Sequence, residues 1–190
     1  MARNGILQIL TASALTTLCV FPIEHAQADA VTDWNVIALN ATAVPPNSIL
    51  QSRTLAIVHG AIYDTVRAVD RKNGAYAIDV AAPAGISVEA AVAAAAHGSL
   101  VRLAPAERPR LDAALNVSLS KIAEGQAKTD GIALGGQIAE EIVALRSTDG
   151  ADAKVAFPLK PGAGLYQLTP PQLLSAILPQ WGAVTPFVLR

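Results

Sequence analysis

From Ala90 to Ala96 every residue except Val92 is alanine, and Leu100, Val101 and Leu103 follow before Pro105. Alanine has the highest helix propensity and almost no side chain to hold neighbours apart. The run therefore predicts a helix over 90–103, around which other helices pack closely. Ser87 is placed to cap its start, and Glu89 lies in the first turn, where the helix dipole favours an acid. The same bias runs through the chain: hydrophobic residues are 52% of it, aromatics only 4%, and the surplus is mainly alanine. The predicted fold class is all-α, a helical bundle with thin interfaces.

Apolar spacing marks out the remaining elements. A helix is predicted over 31–43, with Trp34, Ile37 and Ala38 on one side and Pro45-Pro46 as its end. Leu50, Ile57, Val58, Ala61, Ile62, Val66 and Val69 recur at helical spacing and predict an amphipathic helix over 49–71. Asn47 or Ser48 would cap it and Asn73-Gly74 would stop it. A loop over 72–86, marked by Gly74, Pro83 and Gly85, is expected to tuck Tyr76 and Ile78 against the bundle. Beyond Pro105 a helix over 107–123 carries Leu111, Ala114, Leu115, Leu119 and Ile122 on its apolar side and closes at Gly125. A last helix over 127–145 should turn Ile132, Ile138, Ile142 and Leu145 inward and Glu140 and Glu141 outward. Gly131, Gly135 and Gly136 lie inside it, each at roughly 1 kcal/mol relative to alanine. Close approach of a neighbouring helix is the expected compensation; phosphate binding is the alternative, but no strand precedes these glycines.

Three segments follow from this pattern. Residues 1–28 read as a signal peptide, with one positive charge, an apolar stretch over 6–23 and Ala26-Gln27-Ala28 as the cleavage signal. Secretion or a periplasmic location is expected, and no stable membrane span once the signal is removed, because Thr, Ser, Gln and Pro22 interrupt the apolar run. Cys19 is the only cysteine and would leave with it, so neither disulfides nor thiolate metal sites are expected in the mature chain. Residues 29–148 form the helical bundle. Residues 149–190 form a Pro-rich, irregular and extended segment, in which Pro158, Pro161, Pro170-Pro171, Pro179 and Pro186 separate short apolar pieces. It runs to Phe187-Val188-Leu189-Arg190 without a cap, and such side chains are expected to meet a partner surface. A net charge of −1 and a pI near 6.3 favour no nucleic-acid partner.

One motif carries possible chemistry. Ser52-Arg53, five residues and then His59 is a spacing with which a guanidinium can clamp oxygens of a tetrahedral oxyanion while an imidazole binds its central atom. In the amphipathic helix His59 lies beside the apolar stripe, so a hydrogen-bonded core histidine is the competing reading. Asp64 is expected to pair with Arg67 or Arg53 on the helix surface. His97, ending the alanine run, is expected to hydrogen-bond across the bundle. With His25 leaving in the signal, only His59 and His97 remain, too few for a three-histidine zinc site.

Asp33-Trp34-Asn35, then Arg53-x-Leu55-Ala56-x-Val58-His59-x-Ala61-Ile62-Tyr63-Asp64, then the alanine run to His97 together form an ordered set. Leu111-Asp112-Ala113-Ala114-Leu115, Gly131-Ile132-Ala133-Leu134-Gly135, Thr169-Pro170-Pro171 and Trp181-Gly182-x-Val184-x-Pro186-Phe187 continue it. The set resembles the amino-terminal half of secreted bacterial proteins related to vanadium-dependent haloperoxidases, in the superfamily that includes PAP2-type acid phosphatases. The resemblance implies two packed helix bundles with chemistry in the carboxy-terminal half, where Lys-x6-Arg-Pro, Ser-Gly-His and Ser-Arg-x5-His elements hold vanadate or phosphate. Here Ser-Gly-His is absent, and the position seven before Arg108-Pro109 is Val101 rather than lysine. Ser52-Arg53 and His59 match the third element, but Tyr63 stands where its carboxylate is expected and Ile57 where its glycine is. No catalytic, cofactor-binding or metal-binding residue is therefore assigned to this chain. The resemblance implies vanadate as cofactor only in a complete family member, with peroxide-dependent halide oxidation or phosphate-ester hydrolysis as the activity, and a carboxy-terminal catalytic half as partner. The alternative is a free-standing exported helical module that binds a partner.

Overall fold

A computed structural model describes residues 29–43, 47–157 and 159–188. The expected signal peptide, Cys19 and the Pro45-Pro46 helix stop lie outside the described residues. Among the described residues there are five α-helices and no strand: α1 (Ala30–Ala41), α2 (Ser48–Asp70), α3 (Val88–Leu103), α4 (Arg108–Ser120) and α5 (Gln126–Arg146), with 3₁₀ turns at Pro105–Glu107 and Pro179–Ala183. The chain is all-α, with bundle-like packing.

Side chains set the helix starts. Asp29 accepts the Thr32 N–H at 2.9 Å, Asn47 accepts those of Ile49 and Leu50 at 3.1 Å each, and the Ser87 hydroxyl accepts that of Ala90 at 3.2 Å. The end of α2 comes before Asn73-Gly74, because Arg71 itself adopts the left-handed conformation at φ 55° and its N–H closes onto the Arg67 carbonyl.

The alanine-rich α3 is the centre of the bundle, with α1, α2, α4 and α5 packed around it. Every residue from Ala90 to Ala96 is buried. Two apolar clusters flank it. Trp34, Val58, Ile62, Val92, Leu100 and Leu111 join α1, α2 and α4 to one side, and Ile57, Ala61, Leu134, Ile138 and Ile142 join α2 and α5 to the other.

The α3–α5 contact explains two of the three glycines inside α5. A Cβ on Gly135 would lie 2.1 Å from the Ala91 carbonyl oxygen and 2.8 Å from the Ala95 nitrogen, and one on Gly131 would lie 2.6 Å from the Ser87 carbonyl oxygen. From the other helix, a Cβ on Gly98 would meet the Ala139 methyl at 2.9 Å. The helix backbones thus touch over small residues. Gly136 differs: a Cβ there meets no atom within 4 Å, so close approach does not account for it.

That glycine seam also corrects the predicted inner face of α5. Ile132 and Leu145 are exposed, and Leu134 is buried with Ile138 and Ile142. Gly131, Gly135 and Ala139 recur every fourth residue, and turning that narrow stripe onto α3 swings Ile132 and Leu145 away. In α4 only Leu111 is fully buried, with Ala114 and Leu115 half-buried, as suits a helix lying over the outside. Leu50, at the start of α2, is exposed rather than inward.

Beyond α5 the described chain has no further α-helix. It returns to the bundle at residues 180–187: Gln180 Nε2–H donates to the Ala151 carbonyl at 2.7 Å, and the Thr185 N–H to the Asp149 carbonyl at 2.8 Å. Phe157, Leu159, Leu165, Leu173, Leu174 and Ile177 in the intervening loop are exposed. No helix among the described residues is long and apolar enough to cross a membrane.

Candidate functional site

Arg53 and His59 stand on α2 six residues apart. At 100° per residue this sets them about 120° apart around the helix axis, and here the two side chains leave α2 in different directions. Their partners confirm the divergence. His59 Nε2–H donates to Asn35 Oδ1 of α1 at 2.9 Å, whereas Arg53 reaches the carboxy-terminal end of α5.

There Arg53 joins a buried ion cluster. Its Nε–H donates to Asp149 Oδ2 at 2.9 Å and its Nη2–H to the Arg146 carbonyl at 2.8 Å. Arg146 Nη2–H donates to the same Asp149 oxygen at 2.8 Å and to the Thr185 carbonyl at 2.6 Å, while the Phe187 ring lies over its guanidinium with the Cζ atom 3.9 Å from the ring centroid. Phe187 in turn stacks on Tyr76. The other Asp149 oxygen accepts the Ala151 N–H at 3.0 Å. Burial pushes the Asp149 carboxyl up, but the Arg53 hydrogen bond, the Ala151 amide and the charges of Arg53 and Arg146 outweigh it and hold it below the usual carboxylate value.

This cluster ties α2, the end of α5 and the returning segment together. Asp149 Oδ2 accepts from both arginines and Oδ1 from the Ala151 N–H, so the carboxylate is held on both oxygens by groups of the protein itself. A cleft of about 330 Å³ opens beside it, lined by Ser52, Arg53, Ala56, Trp181, Thr185 and Phe187. It contains no nucleophile–base pair, and the Ser52 hydroxyl already donates to the Ile49 carbonyl at 2.9 Å. Arg53 and His59 do not fit vanadate together: only one of the two reaches the cleft.

Asp64 was not on the surface side of α2. It is fully buried and accepts the backbone N–H groups of Tyr76, Ala77 and Ile78 at 2.6, 3.0 and 2.8 Å, fixing the loop that follows α2. The expected pairing with Arg67 or Arg53 does not form, because Arg67 turns to Asp79 and the Asn73 carbonyl. His97 crosses from α3 to α4, with Nε2 2.6 Å from Asp112 Oδ1 and Trp34 edge-on to the ring. Sequence reasoning missed Arg146 and Asp149 as a pair. The signal lay in Arg146-x-x-Asp149, opposite charges three residues apart across the end of α5.

Among the described residues no three His, Cys, Asp or Glu side chains cluster so as to hold a metal ion. Compared with protein-family models, curated proteins and solved structures, the chain matches none.

Proposed function

We propose that this chain is the amino-terminal, non-catalytic helical part of an exported protein of the vanadium-haloperoxidase and PAP2 type, and that its role is to support a carboxy-terminal catalytic half. One observation carries the reading: the only Ser-Arg-x5-His element has its arginine bonded to Asp149 and its histidine to Asn35, on different sides of α2. An oxyanion as charged as vanadate needs several convergent cations in a dry pocket. The residues that mark the resemblance act in packing: Trp34 fills the core, Asp64 pins a loop, and Gly131 and Gly135 let α5 touch α3. Exposed apolar side chains over 157–177 offer a surface for the second half.

Two measurements test this. Translating the DNA downstream of the codon for Arg190 should reveal Lys-x6-Arg-Pro and Ser-Gly-His elements, and their absence would favour the free-standing exported binding module, which the same exposed apolar side chains support. The purified chain should show no vanadate-dependent bromination and no saturable vanadate binding by vanadium NMR; either activity, lost in Arg53→Gln or His59→Ala, refutes the proposal.

A further inference from the structure

Gly136 is the one α-helical glycine among the described residues that packing does not explain. Inside a helix it carries roughly 1 kcal/mol of disadvantage against alanine, and no neighbour requires it. It lines an open groove of about 520 Å³ between α3, α4 and α5. The apolar lining includes Leu115, Val101 and Ile132, and the half-exposed Ile132 is the isoleucine that the glycine seam turns out of the core.

Charge in this groove is unevenly satisfied. Arg102 and Arg108 both line it, and Glu140 is its one carboxylate among the described residues. Arg102 is held in place by its Nη1–H bond to the Gly98 carbonyl at 2.8 Å, but its Nη2 lies 3.5 Å from Glu140 Oε2, at the limit of a hydrogen bond. Arg108 has no ion-pair partner among the described residues, since Glu107 pairs with Arg110. His97 also borders the groove, with Nε2 engaged by Asp112. Two arginines against one loosely held carboxylate leave a net positive head beside an apolar trough.

We propose that this groove binds an amphiphilic organic monoanion, its carboxylate-type head on Arg102 and Arg108 and its hydrocarbon body along Val101, Leu115 and Ile132 in the space that Gly136 leaves open. Arginine suits this role because its planar donors match a carboxylate bidentately. The site owes nothing to Arg53, His59 or the Asp149 cluster, so it stands or falls separately from the family reading.

Octanoate is the probe, with 1-octanol as the neutral analogue and acetate as the head group alone, each titrated into the purified chain by heteronuclear NMR. Octanoate should saturate with a Kd of about 1 mM or below, a fair value for ten heavy atoms, and the other two should bind at least about tenfold more weakly. Arg108→Gln should weaken octanoate roughly tenfold, the worth of one charge-assisted hydrogen bond, and Glu140→Gln should strengthen it by releasing Arg102. Gly136→Leu should abolish binding while leaving the helical circular dichroism intact and thermal stability equal or higher. Equal binding of 1-octanol, no saturation with octanoate, or an unchanged Kd in Gly136→Leu or Arg108→Gln would each overturn the assignment.

Discussion

Gly135→Ala puts the α3–α5 seam to a direct test, because Gly136→Ala beside it serves as an internal control. The new methyl at position 135 would start 2.1 Å from the Ala91 carbonyl oxygen and 2.8 Å from the Ala95 nitrogen. Both are backbone atoms of a buried helix, so no rotamer change relieves the clash. Restoring ordinary contact near 3.4 Å requires α5 to retreat from α3 by about 1.3 Å, the difference between 3.4 and 2.1 Å. A gap of that size forfeits much of the dispersion energy between Leu134, Ile138, Ala139 and Ile142 and their neighbours on α2 and α3. Overpacking of this kind costs about 3 kcal/mol, and the better helix propensity of alanine returns about 1 kcal/mol. The expected net loss is about 2 kcal/mol. At position 136 the methyl meets nothing within 4 Å. There only the propensity gain remains, about 1 kcal/mol of stabilisation. Urea unfolding followed by circular dichroism at equal denaturant dependence reads both values. If Gly135→Ala proves as stable as the parent chain, the two backbones are not in contact there and the derived packing is wrong.

Asp64→Ala should destabilise the chain by about 3 kcal/mol, since three backbone N–H groups lose a charged acceptor; amide exchange at Tyr76, Ala77 and Ile78 should accelerate, and unchanged protection at these three amides would contradict the geometry. Asp149→Asn should lose about 3 kcal/mol at neutral pH by leaving Arg53 and Arg146 without their carboxylate. Because the folded-state pKa of Asp149 lies below its ordinary value of 3.8, its contribution is present above that value and disappears as pH falls through the lower, folded one. The stability gap between the parent chain and Asp149→Asn should therefore narrow on acidification below about pH 4, measured by urea unfolding at several pH values; a constant gap would show that the carboxylate's charge is irrelevant.

Most helices were legible from spacing and caps. Asn47 and Ser87 cap where their side chains predict, and the apolar repeat of Ile57, Val58, Ala61 and Ile62 is the buried face of α2. The face of α5 was harder to read. Ile132 and Leu145 fit a helical repeat as well as Leu134 does, and hydrophobicity cannot rank them when the contact is made by glycines instead. Arg53 and His59 illustrate a different limit, because a linear motif specifies spacing along the helix but not which partners the neighbouring elements bring to each side chain.

Local chemistry thus determined what each segment of this protein becomes: alanine and the spaced aliphatics dictate helices, and Asn47, Ser87 and Pro105 punctuate them. Such effects act within a turn or two of chain and are written in adjacent residues. Which polar groups far apart in the chain meet was decided only by tertiary structure. Asp64 turned inward to three amides of a loop, and Asp149 closed on an arginine 96 positions away. Burial raises the cost of any unpaired charge or amide, so most buried polar groups take the partner that the packed helices bring within reach, and Trp34 Nε1 and Arg146 Nε are the exceptions among the described residues.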